Sequence, residues 1–150
     1  MRVLITGASG FIGQPLVDSL EKQGHTVLAL SRTIFYGIQK ETTTWLSADL
    51  SSPLTYQDSI RNFSPEILIY LAWQDIPDFS LKKSQENLKQ SLDFISFIID
   101  LGSCKKIVVS GSCFELNQLQ GECKETSLGS PKDHFTWAKH ALYSWLSMAS

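Results

Sequence analysis

Three evenly spaced glycines close to the N-terminus, in the run TGASGFIG, constrain the fold more than any other feature. A short apolar run, Arg2–Thr6, precedes them, and apolar residues at helical spacing follow over Phe11–Gln23. We expect Gly7 to turn the chain out of a strand, Gly10 to let the backbone approach a ligand, and Gly13 to let a helix lie close to a sheet. A helix N-terminus offers unpaired N–H groups, so this context favours a pyrophosphate site over a glycine-rich turn without a ligand.

The alternation of strand and helix continues along the chain. Further strands are predicted over His25–Leu30, Thr43–Leu46, Ile67–Ala72 and Ile107–Ser110, and further helices over Thr55–Asn62, Leu81–Leu101 and Phe135–Met148. Near-continuous apolar strands separated by helices predict an α/β fold, a Rossmann-type doubly wound parallel sheet in three αβα layers. Five strands leave that sheet one short of the usual six. On the long helix the expected buried face is Leu88, Leu92, Ile95 and Ile99.

Composition narrows the class of protein. A chain of 150 residues that is 43% hydrophobic can bury one ordinary core, which predicts a single domain over residues 1–150. A net charge of −2 lacks the basic surface typical of proteins that bind nucleic acid or anionic membranes. Its apolar runs are too short for a membrane span or a secretion signal, so we expect a cytosolic protein. The three cysteines, Cys104, Cys113 and Cys123, match no zinc spacing and are expected to be reduced, with no metal site.

Several short runs, together with the Gly-x-x-Gly-x-x-Gly spacing, resemble the extended short-chain dehydrogenase/reductase superfamily of nucleotide-sugar epimerases, dehydratases and reductases. The resemblance covers essentially the whole chain. The further runs are Ala48-Asp49-Leu50, Ile69-Tyr70-Leu71-Ala72 (with Tyr70 where histidine is usual), Asn87-Leu88 and Val108-Val109-Ser110-Gly111-Ser112. The run Gly111-Ser112-Cys113-Phe114-Glu115 is most similar to O-antigen deoxysugar enzymes of the CDP-abequose-synthase type.

The resemblance implies a bound nicotinamide dinucleotide and a set of residues that contact it. Asp49 would contact the adenine. Trp73 follows the fourth strand, where it is either a wall beside the nicotinamide or a packing aromatic. Asn87 either orders the site through hydrogen bonds or caps its helix. The complete cofactor-binding set is Gly7, Ser9, Gly10, Phe11, Ile12, Gly13, Ser31, Arg32, Asp49, Leu50, Leu71, Ala72, Trp73, Asn87 and Lys139.

The end of the second strand bears on which dinucleotide is bound. An acidic residue there would hydrogen-bond the ribose 2′-hydroxyl of NAD. This chain has Ser31-Arg32 and no acid at that point. A guanidinium binds phosphate through two parallel contacts, so these residues favour NADP(H), with NAD(H) as the alternative and a solvated Arg32 as the other interpretation.

Catalysis in the superfamily depends on a Ser or Thr and on Tyr and Lys spaced Tyr-x-x-x-Lys on one helix. Residues four apart share a helix face, so the ammonium can lower the pKa of the phenol. Ser112 and Lys139 stand at the serine and lysine positions, but Phe135 stands at the tyrosine position. Phenylalanine has no proton to exchange, and this is the main departure from the family pattern.

Three interpretations of Phe135 are open. The acid/base group is another residue, such as His134, Tyr70 or one outside this chain; or catalysis has been lost; or the alignment is offset and Tyr143 is the acid. The first is narrowly preferred.

Two functions follow: an enzyme acting on a nucleotide-linked sugar in surface polysaccharide synthesis, or a catalytically silent NADP(H)-binding module. Members of the superfamily run to about twice this length, so we expect a partial chain without the C-terminal substrate domain. Leu116-Asn117 stands where members of the superfamily usually have Tyr-Gly, and this departure concerns the shape of the substrate loop. The resemblance also indicates a homodimer, with Leu81–Leu101 and Phe135–Met148 as the candidate interface helices.

Overall fold

Strands and helices alternate along the computed structural model, which describes residues 1–33, 41–116 and 129–149. The strands are β1 (Arg2–Thr6), β2 (Thr26–Ser31), β3 (Thr43–Ser47), β4 (Ile67–Tyr70) and β5 (Lys106–Val109), and the α-helices are α1 (Gly13–Lys22), α2 (Gln57–Phe63), α3 (Leu81–Asp100) and α4 (His134–Ala149). Short 3-10 turns occur at Pro53–Thr55 and Cys113–Glu115. Every predicted strand and helix is present, with ends that differ by at most two residues from the prediction.

The described residues form two compact units. Unit 1 consists of residues 1–72 and 94–110, and unit 2 of residues 73–93 and 111–150. The sheet lies in unit 1, and the residues at the serine, lysine and tyrosine positions lie in unit 2. The prediction of a single domain stays a prediction.

The five strands of unit 1 form one parallel sheet in the order β3-β2-β1-β4-β5. Leu4 of β1 lies opposite Leu28 of β2 on one side and Leu68 of β4 on the other. The predicted Rossmann-type parallel sheet is therefore confirmed. Strand order reverses at β1, between β2 and β4, and open sheets of this kind bind ligands at the carboxyl ends of the strands beside such a reversal.

Both faces of the sheet are buried at its centre, because consecutive residues of β1 and β2, which point to opposite sides, are buried along almost the whole of each strand. On one face, an apolar cluster joins β1, β2 and α1 through Val3, Ile5, Ala8, Val17, Val27 and Ala29. Aromatic rings stack elsewhere in unit 1, where Phe94 of α3 lies 5.1 Å from the ring of Tyr56 and 5.9 Å from that of Tyr70. Ring pairs at such distances add stabilisation beyond the area they bury.

Two details of the helix predictions are wrong. Helix α1 begins at Gly13 rather than at Phe11, whose side chain is 96% exposed on the loop before the helix. On α3 the expected apolar face coincides with the buried one only at Ile95, since Leu88 and Leu92 are half-buried and Ile99 is 38% exposed. The buried face consists of Ser84, Asn87, Ser91, Phe94, Ile95 and Ile98. Hydrophobic periodicity misses this face because half of its members are polar. Ser91 satisfies its hydroxyl within the helix, donating to the Asn87 carbonyl at 2.8 Å.

Among the described residues, no helix is both long and apolar enough to span a membrane, and no group of side chains could hold a metal ion. Cys104 is partly buried, and this burial raises the pKa of its thiol. Cys113 is exposed, whereas Cys123 and Asn117 lie outside the described residues.

Candidate functional site

The glycine loop of unit 1 leaves little room for a side chain at Gly7 and none at Gly13. Gly7 has a positive φ of 66°, and a Cβ added there would stand 3.0 Å from the backbone nitrogen of Ala72. A Cβ on Gly13 would collide with the carbonyl oxygen of Gly7 and approach that of Ala8 to 2.6 Å. A Cβ added to Gly10 would be crowded without colliding, since it would lie 3.2 Å from the carbonyl oxygen of Gly7. The turn predicted at Gly7 thus has a direct steric reason, whereas Gly13 brings the start of α1 close to the loop backbone at Gly7 and Ala8 rather than to a strand.

Hydrogen bonds fix the loop to the carboxyl ends of the neighbouring strands. The backbone N–H of Ala8 donates to the Leu30 carbonyl of β2 at 3.1 Å. At the same strand end, the Ser31 hydroxyl donates to the Ser9 hydroxyl at 2.8 Å. Within the loop, the Gly10 N–H donates to the Gly7 carbonyl at 3.0 Å. Ser9 and Ser31, both predicted cofactor-binding residues, are therefore brought together.

Thr6 is a residue of this site that the sequence reasoning did not single out. Its buried hydroxyl accepts hydrogen bonds from the backbone N–H groups of Leu71 and Ala72, each at 3.2 Å. It thereby joins the end of β1 to the chain leaving β4, at the point where the strand order reverses. A threonine directly before the first loop glycine is the signal that could have indicated this role.

The second half of the loop is exposed to solvent. Gly10, Phe11 and Ile12 are exposed in the described part of the chain, and α1 starts directly after them. The first turn of α1 therefore presents its N-terminal end beside an exposed glycine. This arrangement suits an anionic group, because unpaired N–H groups and the helix dipole act in the same direction there.

Arg32 and Asp49 are both exposed at the carboxyl ends of β2 and β3. The Asp49 carboxylate accepts hydrogen bonds from the Ser51 hydroxyl at 2.7 Å and from its N–H at 2.8 Å. These bonds lower the pKa of Asp49, and the positive charge of Arg32 adds a smaller effect in the same direction. Leu50, next in the chain, is buried. The carboxylate of Asp49 is thus committed to its own turn, and the guanidinium of Arg32 faces solvent.

In unit 2, Lys139 is a buried cation among aromatic rings. Its side chain is 6% exposed, and Nζ lies 4.0 Å from the centroid of the Trp73 ring and 6.0 Å from that of Phe135. Burial lowers the pKa of Lys139 to about 8, while the negative charge of Glu115 opposes the change. Contact with a ring face favours the ammonium form.

Phe135, at the tyrosine position, packs inside an aromatic cluster of Trp73, Phe79, Phe114 and Phe135. The ring of Phe135 meets Trp73 edge-on at 5.5 Å and lies 4.9 Å from Phe79. Phe79 in turn lies 6.4 Å from Phe114. Trp73 is therefore a packing aromatic and also a contact of Lys139. The residue at the tyrosine position is held in place by other rings.

Ser112 starts the 3-10 turn Cys113–Glu115 through a reciprocal pair of hydrogen bonds. Its hydroxyl oxygen accepts from the N–H of Phe114 at 3.2 Å, and the Glu115 carboxylate accepts from the N–H of Ser112 at 2.5 Å. This pattern is a capping box, and the Ser-x-x-Glu spacing at positions 112–115 indicates it. Glu115 was missed as a site residue although that spacing was visible.

Asn87 holds the backbone at Gln74. Its amide oxygen accepts from the Gln74 N–H at 2.7 Å, and its amide nitrogen donates to the carbonyls of Gln74 and Lys83 at 3.2 and 3.0 Å. Because α3 begins at Leu81, Asn87 lies in the second turn, and the interpretation as a helix cap is wrong. Its amide orders the segment after Trp73 by hydrogen bonding.

The groups considered as replacement acids differ in exposure. His134 is exposed at the first residue of α4. Tyr143, one turn beyond Lys139, is 55% exposed, whereas Lys139 is buried. Tyr70 belongs to unit 1, where it is buried against Phe94. The exposure of Tyr143 weighs against the offset alignment.

Comparisons with known proteins agree with this geometry. The model of the NAD dependent epimerase/dehydratase family matches residues 3–149. The dTDP-6-deoxy-L-talose 4-dehydrogenase (NAD(+)) of Aggregatibacter actinomycetemcomitans is 26% identical over 154 residues, which cover 95% of this chain and 53% of that protein. The UDP-glucose 4-epimerase of Thermotoga maritima, solved with UDP-glucose, superposes with a TM-score of 0.80 at 22% identity, covering 99% of this chain and 50% of that one.

A second solved structure, the UDP-glucose 4-epimerase of Thermus thermophilus in complex with NAD, also gives a TM-score of 0.80, at 24% identity and with the same coverage. These superpositions confirm the fold. The chain spans about half the length of the relatives it matches.

Proposed function

We propose that this chain, which belongs to the NAD dependent epimerase/dehydratase family, is the cofactor-binding part of an NAD(P)-dependent enzyme that acts on a nucleotide-activated sugar. The observation that carries the proposal is the glycine loop at the reversal of the strand order. Backbone atoms at Gly7 and Gly13 exclude any side chain, and the exposed Gly10 precedes the N-terminal end of α1. Such a loop accommodates a pyrophosphate.

For the dinucleotide itself we favour NADP(H), with NAD(H) as the alternative. The support is local: no acid stands at the end of β2, and the Arg32 guanidinium is exposed beside it. A ribose 2′-phosphate would be bound there through paired N–H contacts. The names of two relatives mention NAD, so the preference for NADP(H) depends only on this local evidence at the end of β2.

We assign catalytic and positioning roles to the polar residues of unit 2. The nicotinamide group supplies or accepts a hydride when bound. The Ser112 oxygen accepts a hydrogen bond from the Phe114 N–H, and its own hydrogen can be donated to a sugar oxygen. Lys139 would bind the nicotinamide ribose. The acid/base group is assigned to a residue other than Phe135, with His134 or Tyr70 as candidates in this chain.

Surface polysaccharide synthesis is the proposed setting. Its support is the Gly111–Glu115 run together with a relative whose name specifies a 6-deoxysugar. The partners would be a nucleotide sugar and a second copy of the chain. The homodimer rests on the resemblance to the superfamily, whereas cytosolic location is a prediction from the short apolar runs of the sequence.

A second function, a catalytically silent NADP(H)-binding module, is favoured by one observation. Phe135 is buried among aromatic rings at the place of the proton-exchanging phenol. The module would bind dinucleotide through unit 1 and turn over no sugar.

Turnover by the longest product of the gene separates the two functions. The assay follows NADPH oxidation, by loss of absorbance, with 4-keto nucleotide sugars as substrates. The enzyme account predicts sugar-dependent oxidation that Ser112→Ala reduces strongly. Cofactor binding without turnover of any such sugar would favour the silent module.

A further inference from the structure

We propose that the Glu115 carboxylate is a positioning group for unit 2, which fixes the turn that carries Ser112 and directs its negative charge at the buried Lys139. The inference rests on the proposed function, in which Ser112 contacts the sugar and Lys139 the ribose. Glu115 would then be a positioning residue that acts through its two neighbours.

The side chain of Glu115 is fixed against the backbone before Ser112. Its Oε1 accepts from the Ser112 N–H at 2.5 Å, and a Cβ added to Gly111 would lie only 3.2 Å from the same oxygen. A glycine at this position therefore lets the carboxylate approach closely. The Ser112 hydroxyl oxygen accepts a hydrogen bond from the Phe114 N–H at 3.2 Å. This reciprocal pair of hydrogen bonds holds both ends of the turn.

The backbone of Glu115 is joined to the helix that carries Lys139. The carbonyl oxygen of Glu115 lies 3.2 Å from Nε2 of His140, the residue after Lys139 on α4. The same oxygen accepts from the Gly129 N–H at 3.3 Å. Movement of the turn relative to α4 would break these contacts, so the carboxylate keeps a defined place within unit 2.

The charge of Glu115 acts on Lys139, which is desolvated. Burial lowers the pKa of Lys139 to about 8, and the negative charge of Glu115 works in the opposite direction. The ring faces of Trp73 and Phe135 attract the ammonium but carry no net charge. Without Glu115, more of Lys139 would be neutral near pH 8.

Among the described residues of unit 2, several other charged groups are engaged elsewhere or lie at the start of α4. His134 begins that helix, and the carboxylate of Asp133 accepts from the Thr136 N–H at 2.7 Å. On the side of α3, Lys83 bridges two acids, Asp75 at 2.9 Å and Glu86 at 2.7 Å. Of the charged residues described in unit 2, Glu115 is the one whose charge shifts the pKa of Lys139.

The effect of the Glu115 charge on Lys139 is important because Phe135 stands at the tyrosine position. A tyrosine at that position would exchange a proton itself, with the neighbouring lysine lowering its pKa. Phe135 has no such proton, so under the proposal the ammonium form of Lys139 is a charge that the site still depends on. A carboxylate placed to maintain that fraction suits a site that has lost its phenol.

The test compares Glu115→Gln, which removes the charge but keeps a carbonyl oxygen for the Ser112 N–H, with the wild-type protein. Lysine is labelled with ¹³C at Cε, and the Lys139 resonance is assigned by its loss in Lys139→Met. Titration by NMR should show the Lys139 midpoint lowered by up to about one pH unit in Glu115→Gln, as expected for one lost opposite charge. A titration curve that superimposes on the wild-type curve overturns the proposal.

Glu86→Gln is the matched control. It removes the same charge from unit 2, where Glu86 pairs with Lys83 rather than with Lys139. The Lys139 titration should stay at the wild-type midpoint in this variant. An equal shift in both variants would mean that net charge rather than position is responsible, and would also overturn the proposal.

A second readout separates the two positioning roles. In the longest product of the gene, Glu115→Gln should move the alkaline limb of the kcat/KM profile to lower pH, whereas Glu115→Ala should also lower kcat at every pH because the Ser112 turn loses its acceptor. Unchanged profiles in both variants would contradict the positioning role. Lack of turnover in the wild-type protein contradicts the proposed function instead, and the NMR titration still decides the inference about Glu115.

Discussion

Substitution of Gly13 by alanine tests how the loop of unit 1 depends on the absence of a side chain. The added Cβ would meet three backbone atoms: the carbonyl oxygen of Gly7, and the carbonyl oxygen and carbon of Ala8, the last two at 2.6 and 2.7 Å. Backbone cannot rotate away as a side chain can, so the loop and α1 must separate. Overpacking of this kind costs about 1–3 kcal/mol, and we expect the upper half of that range.

The same displacement should weaken dinucleotide binding. If only about 1.4 kcal/mol of the strain is borne by the phosphate-binding conformation, Kd rises about tenfold. The assays are urea unfolding for stability and fluorescence titration with NADPH for affinity.

Gly24→Ala is the control, because its positive φ of 77° makes alanine strained although no atom lies within 4 Å of the added Cβ. That variant should lose about 1–2 kcal/mol of stability and keep its affinity. Wild-type affinity in Gly13→Ala would refute the steric reasoning.

Three further outcomes are expected. Arg32→Ala should weaken NADPH binding about tenfold or more and leave NADH binding unchanged, because it removes the exposed guanidinium assigned to the 2′-phosphate; equal losses for both dinucleotides in a fluorescence titration would contradict that assignment. Phe135→Tyr should increase sugar-dependent NADPH oxidation if the pocket is preserved, and unchanged turnover would favour the silent module. Lys139→Met should stabilise the fold below pH 8, since burial lowers the lysine pKa from 10.5 to about 8 and the folded protein must protonate a desolvated amine there. The gain in stability should be on the order of 3 kcal/mol, from which the attraction of the ammonium to the aromatic rings has to be subtracted. It should disappear as the pH rises from 8 to 10.5, and urea unfolding curves recorded across this range measure it.

Much of unit 1 could be predicted from local pattern. Continuous apolar strands separated by helical spacing define a parallel sheet, and the glycine run places its ligand-binding end. Helix boundaries were less certain because Phe11 and Ile12 continue the helical apolar spacing, although the chain uses them as exposed loop residues. No periodicity rule distinguishes an apolar side chain that packs from one that stays exposed on a loop.

The buried face of α3 could not be predicted in the same way. Asn87 and Ser91 are buried because their polar groups find partners, in the Gln74 backbone and in the helix itself. Such partners are set by tertiary structure, and a scale of hydrophobicity assigns these residues to the surface. The prediction therefore chose the neighbouring apolar stripe.

Only some residues of the candidate site could be predicted from the sequence. Ser112, Phe135 and Lys139 were found by their resemblance to a family pattern, and the structure places them in one unit. Glu115 was overlooked because a Ser-x-x-Glu spacing usually indicates only a helix start. Its electrostatic influence on Lys139 depends on burial, which the sequence does not display.

Binding of a dinucleotide by unit 1 is the central claim, and isothermal titration calorimetry of the chain with NADPH and with NADH tests it most directly. The account predicts saturable binding of one NADPH per chain, with weaker binding of NADH. Tighter binding of NADH would contradict the role given to Arg32. Heat that fails to saturate with either dinucleotide would contradict the claim itself.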